Sequence, residues 1–156
     1  VIVGGTVAAR LSELGIDLPK VAAPVAAYAP AIRTGNYVFT SGQLPFVDGA
    51  LPKSGKVGAD VSADEAYGYA RTCALNALAA IAAEVGSLDN IVRVVKVVGF
   101  VASDPAFTGQ PAVINGASEV LSQIFGDAGV HARSAVGVAV LPLDAPVEVE
   151  LIVEVA

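Results

Sequence analysis

Methionine and tryptophan are missing altogether from the 156 residues, and cysteine and histidine occur once each. Without Met to fill irregular gaps or Trp to occupy large ones, a core made mostly of Ala and Val must close by near contact of small side chains. The single thiol, Cys73, excludes a disulfide within this chain and fits a reducing compartment, so a cytoplasmic location is expected. One His and one Cys give no ligand spacing for a metal, and no Gly-x-Ser-x-Gly elbow exists to make His131 part of a serine triad. Charge is scarce as well. At 15% of residues it lies below the roughly 25% of average usage, which points to surface buried against other copies of the chain. The nine Lys and Arg are scattered among fifteen Asp and Glu, for a net charge of −6. Proteins that hold nucleic acid nonspecifically need a basic patch to displace phosphate counterions, so that role is disfavoured. No apolar run suits a membrane span, and the opening "VIVGG" lacks the basic flank and length of a signal peptide.

What is present is 54% apolar, enough for a sizeable core in one globular domain. Thr6 to Ile16 reads as a short helix capped by Thr6 and ended near Gly15. Pro19, Pro24 and Pro30 forbid a long helix in the stretch that follows. "RTGNYVFTSGQLPF" places a Gly35-Asn36 turn between two short strands, and a Gly- and Pro-rich loop comes after it. Ser62, with Glu65 three residues on, forms a capping-box pattern. It opens a helix whose stripe is Ala66, Ala70, Cys73, Ala74, Ala77, Leu78, Ile81 and Val85, stopped by Gly86. On that stripe Cys73 reads as an inert core thiol. Asn90–Val101 is β-branched and nearly continuous, as an interior strand should be. A second long helix runs from about Gly109 to Phe125, with Val113, Ala117, Val120, Leu121 and Ile124 inward. Two strands close the chain, Arg133–Val140 and Val147–Val155. The expected order is ββ-α-β-α-β-β, an α/β (α+β) mixed sheet with two helices on one face, leaving the other face to solvent or a partner.

The last two strands carry the chemistry. Side chains alternate across a strand, so Ser134, Val136, Val138 and Val140 are expected on the core face, with Arg133, Ala135, Gly137 and Ala139 opposite. In the final strand Val147, Val149, Leu151, Val153 and Val155 face the core, and Glu148, Glu150, Ile152 and Glu154 do not. One sheet face would then hold an arginine, several tiny residues and three glutamates. The tiny residues leave room for a docked neighbour or a small ligand. The plainer alternative is a merely solvated face. Were the two strands a simple hairpin, Arg133 would lie near Glu154 and about 20 Å from Glu148 at ~3.3 Å per residue. Arg133 and Glu148 could still meet if the last strand inserts elsewhere, or across a subunit boundary.

"HARSAVGVAVLPLDAPVEVELIVEV" resembles the C-terminal signature of the RidA/YjgF family, the reactive-intermediate deaminases: Ala-Arg, an apolar strand, Leu-Pro, a short loop and an alternating Glu-containing strand. "RTGNYVFTSGQLP" resembles the same family's Gly-Asn … Thr-Ser-Gly-Gln stretch. The likeness covers about Ala26 to Val155, so residues 1–25 read as an N-terminal helical extension and 26–156 as the RidA-like domain. It implies a chorismate-mutase-like fold, a homotrimer with sites at subunit interfaces, and a last strand inserted among the others. It also implies hydrolysis of small imino acids and enamines to 2-oxo acids and ammonia, with no metal or organic cofactor.

By the same resemblance, the carboxylate-binding arginine falls on Arg133 and the acidic residue on Glu148, both with catalytic roles. The other substrate-binding positions fall on Tyr28, Ser41, Gly42, Asn115 and Ala135. The family often has Cys at the position of Ala135 and Pro at that of His131, which reads here as a loop residue at the rim.

An arginine suits the role because its planar fork of donors matches a carboxylate in a bidentate pair. An iminium is already electrophilic, so the remaining tasks are to place a water and handle a proton, which Glu148 could do. Each residue also has an ordinary reading. Arg133 could pair with a glutamate across subunits, Asn115 could be solvated, and Tyr28 could simply pack. Two other functions stay open: a module that binds 2-oxo acids or related carboxylates without turnover, and a ribonuclease, against which the acidic balance argues.

Overall fold

A computed structural model describes residues 6–23 and 26–156. The opening Val1–Gly5 stretch, Pro24 and the boundary expected after residue 25 fall outside or at the edge of these residues. Thr6 accepts the Ala9 N–H and caps a helix α1 (Val7–Glu13), and Gly15 takes a left-handed φ of +67° just beyond its end. Val7, Leu11 and Ile16 join the main core. Asp89 accepts the Val7 N–H, and Arg10 Nε donates to the Gln123 carbonyl. The short helix is therefore tied down at both ends.

β1 (Ala31–Thr34) and β2 (Tyr37–Thr40) form the expected hairpin, with Gly35 at φ +56° supplying the turn. α2 (Ala63–Val85) starts at a complete Ser62/Glu65 capping box and stops at Gly86. β3 (Ile91–Ala102) leads through a loop to α3 (Gln110–Phe125), whose Pro111 occupies the first turn, where its missing N–H costs nothing. β4 (Ala132–Val138) and β5 (Val147–Val155) follow. The sheet order is β1-β2-β5-β3-β4. Only β3 and β4 run parallel, and α3 is the crossover that parallel neighbours require. β5 pairs antiparallel with β2 on one side and β3 on the other, so β4 and β5 are not a hairpin.

Why the core needs small residues is visible where α2 and α3 touch. A Cβ on Gly116 would lie 2.0 Å from the Tyr67 carbonyl oxygen, so the helices meet backbone to backbone. The alanine stripe of α2 and Cys73 are fully buried, as are Val113, Ala117 and Leu121 of α3. Leu78 and Ile81 anchor the layer, each worth about 1.5–3 kcal/mol when removed from water. On β5 the burial alternates strictly, with Val147, Val149, Leu151, Val153 and Val155 under the helices. The architecture is the mixed sheet with helices on one face that the sequence implied. Among the described residues no helix is long and apolar enough to cross a membrane.

One expectation fails. The core face assigned to the strand at Arg133 is inverted, and the strand ends at Val138 rather than Val140. Arg133 stands opposite Val97, and Gly137 opposite Val101, both fully buried beneath the helices. Arg133, Ala135 and Gly137 therefore face α3, while Val136 and Val140 are exposed. The reason is that β4 is an edge strand lying close under a helix. The neighbouring Gly99 would put a Cβ 2.4 Å from Ile114, and Gly137 would put one 2.9 Å from Gln110. The tiny residues make room for α3 instead of a ligand; on the far side Val136 looks outward, and Val138 packs against a small second cluster that includes Leu44 and Leu141.

Candidate functional site

The inverted face separates the two residues expected to act together. Arg133 lies level with Val97 on β3, which lies level with Leu151 on β5. Glu148 is two strands across from Arg133 and three residues along, about 14 Å between Cα atoms at ordinary strand spacings. It also points to the opposite side of the sheet. The candidate residues thus form two groups.

The first group gathers on the helix-covered side, at the β4 edge. Arg133 Nη1 donates to Asn115 Oδ1 at 2.8 Å and to Ser118 Oγ at 3.2 Å, and Nη2 makes a longer contact of 3.4 Å to the Pro111 carbonyl. Asn115 and Ser118 are one turn apart on α3, so one helix face presents both acceptors. Asn115 therefore meets the guanidinium within this chain rather than standing free in solvent. Ala135, two residues along β4, is half-buried and packs against the main core. His131 is not a loose rim residue. Its Nδ1 lies 2.6 Å from the Gly129 carbonyl and its Nε2 lies 2.9 Å from Ser118 Oγ.

The second group lies around a small cavity of about 50 Å³ lined by Tyr28, Gly42, Phe46, Pro142 and Glu148. Gln43 bridges to Val149 by two backbone hydrogen bonds, which extends the β2 line past its end and lays Gly42 over β5. A Cβ on Gly42 would stand 2.0 Å from Glu148 Oε1, so any side chain there would displace the carboxylate. Ser41 Oγ donates to the Ala29 carbonyl at 2.6 Å, which fixes the turn that carries Tyr28 and leaves the hydroxyl as an acceptor. Buried Asn76 donates both amide hydrogens, to Leu44 O and Phe46 O, and fastens this loop to α2. Burial, with the nearby Glu150 charge as the lesser cause, raises the Glu148 carboxyl above its ordinary 4.5. Burial also pushes the Cys73 thiol well up, in keeping with an inert core residue. Among the described residues no three His, Cys, Asp or Glu side chains gather as metal ligands would.

Sequence reasoning missed Ser118 and the part played by His131. Ser118 follows Asn115 at i+3 on α3, a spacing that could have marked it. The tie from His131 back to Gly129 left no sequence signal.

With this geometry in view, known proteins fall into line. The family model described as "YjgF/chorismate_mutase-like, putative endoribonuclease" matches residues 8–155. The chain belongs to this family. Protein TCP17 of Trypanosoma cruzi is 45% identical over 99% of this chain and 97% of its own length. The crystal structure of Atu1372 from Agrobacterium tumefaciens, a protein of unknown function, is 45% identical with a TM-score of 0.89 and covers 96% of this chain and 92% of its own. A more distant YjgF relative, Escherichia coli TdcF with bound serine, is 27% identical with a TM-score of 0.61, covering 88% of this chain and 94% of its own. The YjgF likeness thus spans nearly the whole chain and includes both groups of candidate residues.

Proposed function

We propose that this chain forms a homotrimer that hydrolyses small 2-imino acids and enamines to 2-oxo acids and ammonia, at sites where one subunit supplies Arg133 and the next supplies Glu148. The observation that carries this reading is the separation just described. One chain holds a cation already oriented by neutral acceptors and, elsewhere, a partly buried carboxylate beside a small cavity. Neither is a site alone. The open face of the sheet supports a partner. Ile32, Tyr37, Phe39 and Val136 are all at least 40% exposed there, an apolar surface that an isolated chain would leave in water.

In the assembled site Arg133 pairs with the substrate carboxylate and holds the imine carbon at a fixed distance. Glu148 accepts a proton from a water as the water oxygen bonds to that carbon. The C=N electron pair moves to nitrogen, which takes up a proton. The resulting carbinolamine forms the new C=O bond and expels ammonia, so imine plus water gives 2-oxo acid plus ammonia. An enamine first takes a proton at its β-carbon to become the imine. A carboxyl raised above its ordinary range can both accept and return protons. Tyr28 and Gly42 border the space beside Glu148, and the Ser41 hydroxyl can accept from the imino N–H. TdcF, the relative seen with bound serine, holds a small molecule bearing an α-carboxylate, which supports a substrate of that class.

The test is ammonia release from an imino acid generated enzymatically in the same vessel. Wild-type protein accelerates it. Arg133→Ala loses at least about a hundredfold in kcat/KM, the scale for removing one partner of a buried charge pair, and sediments as the same trimer. Undiminished turnover in Arg133→Ala rejects the assignment. The same cavity and cation would also serve a module that binds 2-oxo acids without turnover. Calorimetric binding of 2-oxobutanoate with no acceleration of hydrolysis would favour that reading. The endoribonuclease label in the family description has little support in a net charge of −6, and saturable, salt-sensitive RNA cleavage by purified protein would revive it.

A further inference from the structure

We infer that Ser118 and His131 are positioning residues that decide which edge of Arg133 meets the substrate. This rests on the reading of Arg133 as the carboxylate anchor. The Gly129 carbonyl can only accept, so His131 Nδ1, 2.6 Å away, carries the ring proton. Neutral imidazole then has its lone pair on Nε2, and the Ser118 hydroxyl, 2.9 Å away, donates its proton there. That orientation turns the Ser118 oxygen lone pairs away from the imidazole. One of them accepts from Arg133 Nη1 at 3.2 Å, beside the 2.8 Å bond from the same nitrogen to Asn115 Oδ1. Both hydrogens of Nη1 are thereby spent on neutral acceptors.

The guanidinium has two edges able to take a carboxylate in a two-point pair: Nη1 with Nη2, and Nε with Nη2. The first is blocked. Among the described residues Nε has no acceptor, and Nη2 has only the 3.4 Å contact to Pro111 O. The carboxylate docks side-on, across Nε and Nη2. Asn115 alone could not enforce this, because one acceptor leaves the fork free to swing about its end atom. Two acceptors on one nitrogen fix the plane. Without the imidazole the Ser118 hydroxyl would turn to a carbonyl of its own helix, as serines in helices do, and its lone pairs would leave Arg133. The chain Gly129–His131–Ser118–Arg133 makes a histidine at the rim useful without its touching substrate.

The experiment uses the intact protein with 2-oxobutanoate as the calorimetric probe and imino acid hydrolysis as the kinetic one. Ser118→Ala and His131→Ala each weaken binding roughly threefold to tenfold, the scale of one ordinary hydrogen bond, because neither residue touches the substrate itself. The loss appears in KM while kcat stays close to wild type. Because the two residues act in series, the double variant is no weaker than the worse single one. Ser118→Thr keeps the hydroxyl and keeps wild-type affinity. The lone histidine gives an unobstructed ring ¹⁵N signal, which shows the Nδ1–H tautomer. An Nε2–H tautomer, additive losses in the double variant, or wild-type affinity in both single variants while Arg133→Ala fails to bind, would each overturn the inference and leave the anchor reading intact. Wild-type binding by Arg133→Ala overturns both.

Discussion

On the helix-covered face Arg133 has the donors of Nη1 satisfied by neutral groups, Asn115 and Ser118, whereas on the open face Glu148 sits against Gly42 with its carboxyl partly desolvated. Among the described residues no salt bridge reaches either of them; the ion pairs are Arg10–Glu13, Lys53–Glu65 and Lys56–Asp144, all at the surface. The chain oriented its cation without neutralising it and raised its carboxyl without pairing it. A fold seeking stability alone would gain little by this, since a desolvated charge is costly without a partner. The contrast makes sense if both charges are held back for a third party that arrives between two subunits.

The contrast can be broken most severely at Gly42. Gly42→Ala places a methyl where Glu148 Oε1 now lies, 2.0 Å from the new carbon, so the carboxylate must leave. The expected outcome is a loss of roughly a hundredfold or more in kcat, on the scale of general acid–base catalysis, with 2-oxobutanoate affinity at Arg133 reduced far less. Calorimetry beside steady-state kinetics checks it. Equal losses in both would mean that the two groups are not separable as described.

A smaller effect sharpens the electrostatic half. Burial raises the Glu148 carboxyl first, and the Glu150 charge, two residues along β5, raises it further. A base must be ionised, so the acidic limb of kcat/KM lies above the ordinary carboxylate value of 4.5. Glu150→Gln removes a like charge, lets Glu148 ionise more readily, and moves that limb to lower pH without abolishing activity. A limb that stays in place or moves upward would assign the pH dependence to another group.

Most of the fold was legible because its signals are local and redundant. Ser62 and Glu65 announce α2 by a box that the structure completes atom for atom, and Gly35 marks a two-residue turn. The strict alternation of Val147 to Val155 fixed the faces of β5. The same rule failed on β4, and instructively. Alternation of Ser134, Val136 and Val138 with Arg133, Ala135 and Gly137 shows two faces but cannot say which is covered, and volume points to the valines. The answer lies in a contact distant in sequence, α3 pressing on β4 and on Gly99. An edge strand under a close helix needs small residues beneath it, and hydrophobicity then marks the exposed side. The site residues were named through spacing shared with the family. Their division into two groups was hidden because it depends on which face of β4 the helix α3 covers, a contact with no local signature in the chain.

The central claim is that a complete site needs Arg133 from one subunit and Glu148 from another. It is tested most directly by unfolding Arg133→Ala and Glu148→Gln together in equal amounts, refolding the mixture, and measuring ammonia release. Each variant alone is inactive. Random mixing pairs an intact Arg133 with an intact Glu148 at about one interface in four, so the account predicts recovery of about a quarter of wild-type activity. A refolded mixture in which mixed trimers are present but activity does not return would show that both residues must come from the same chain, and would contradict it.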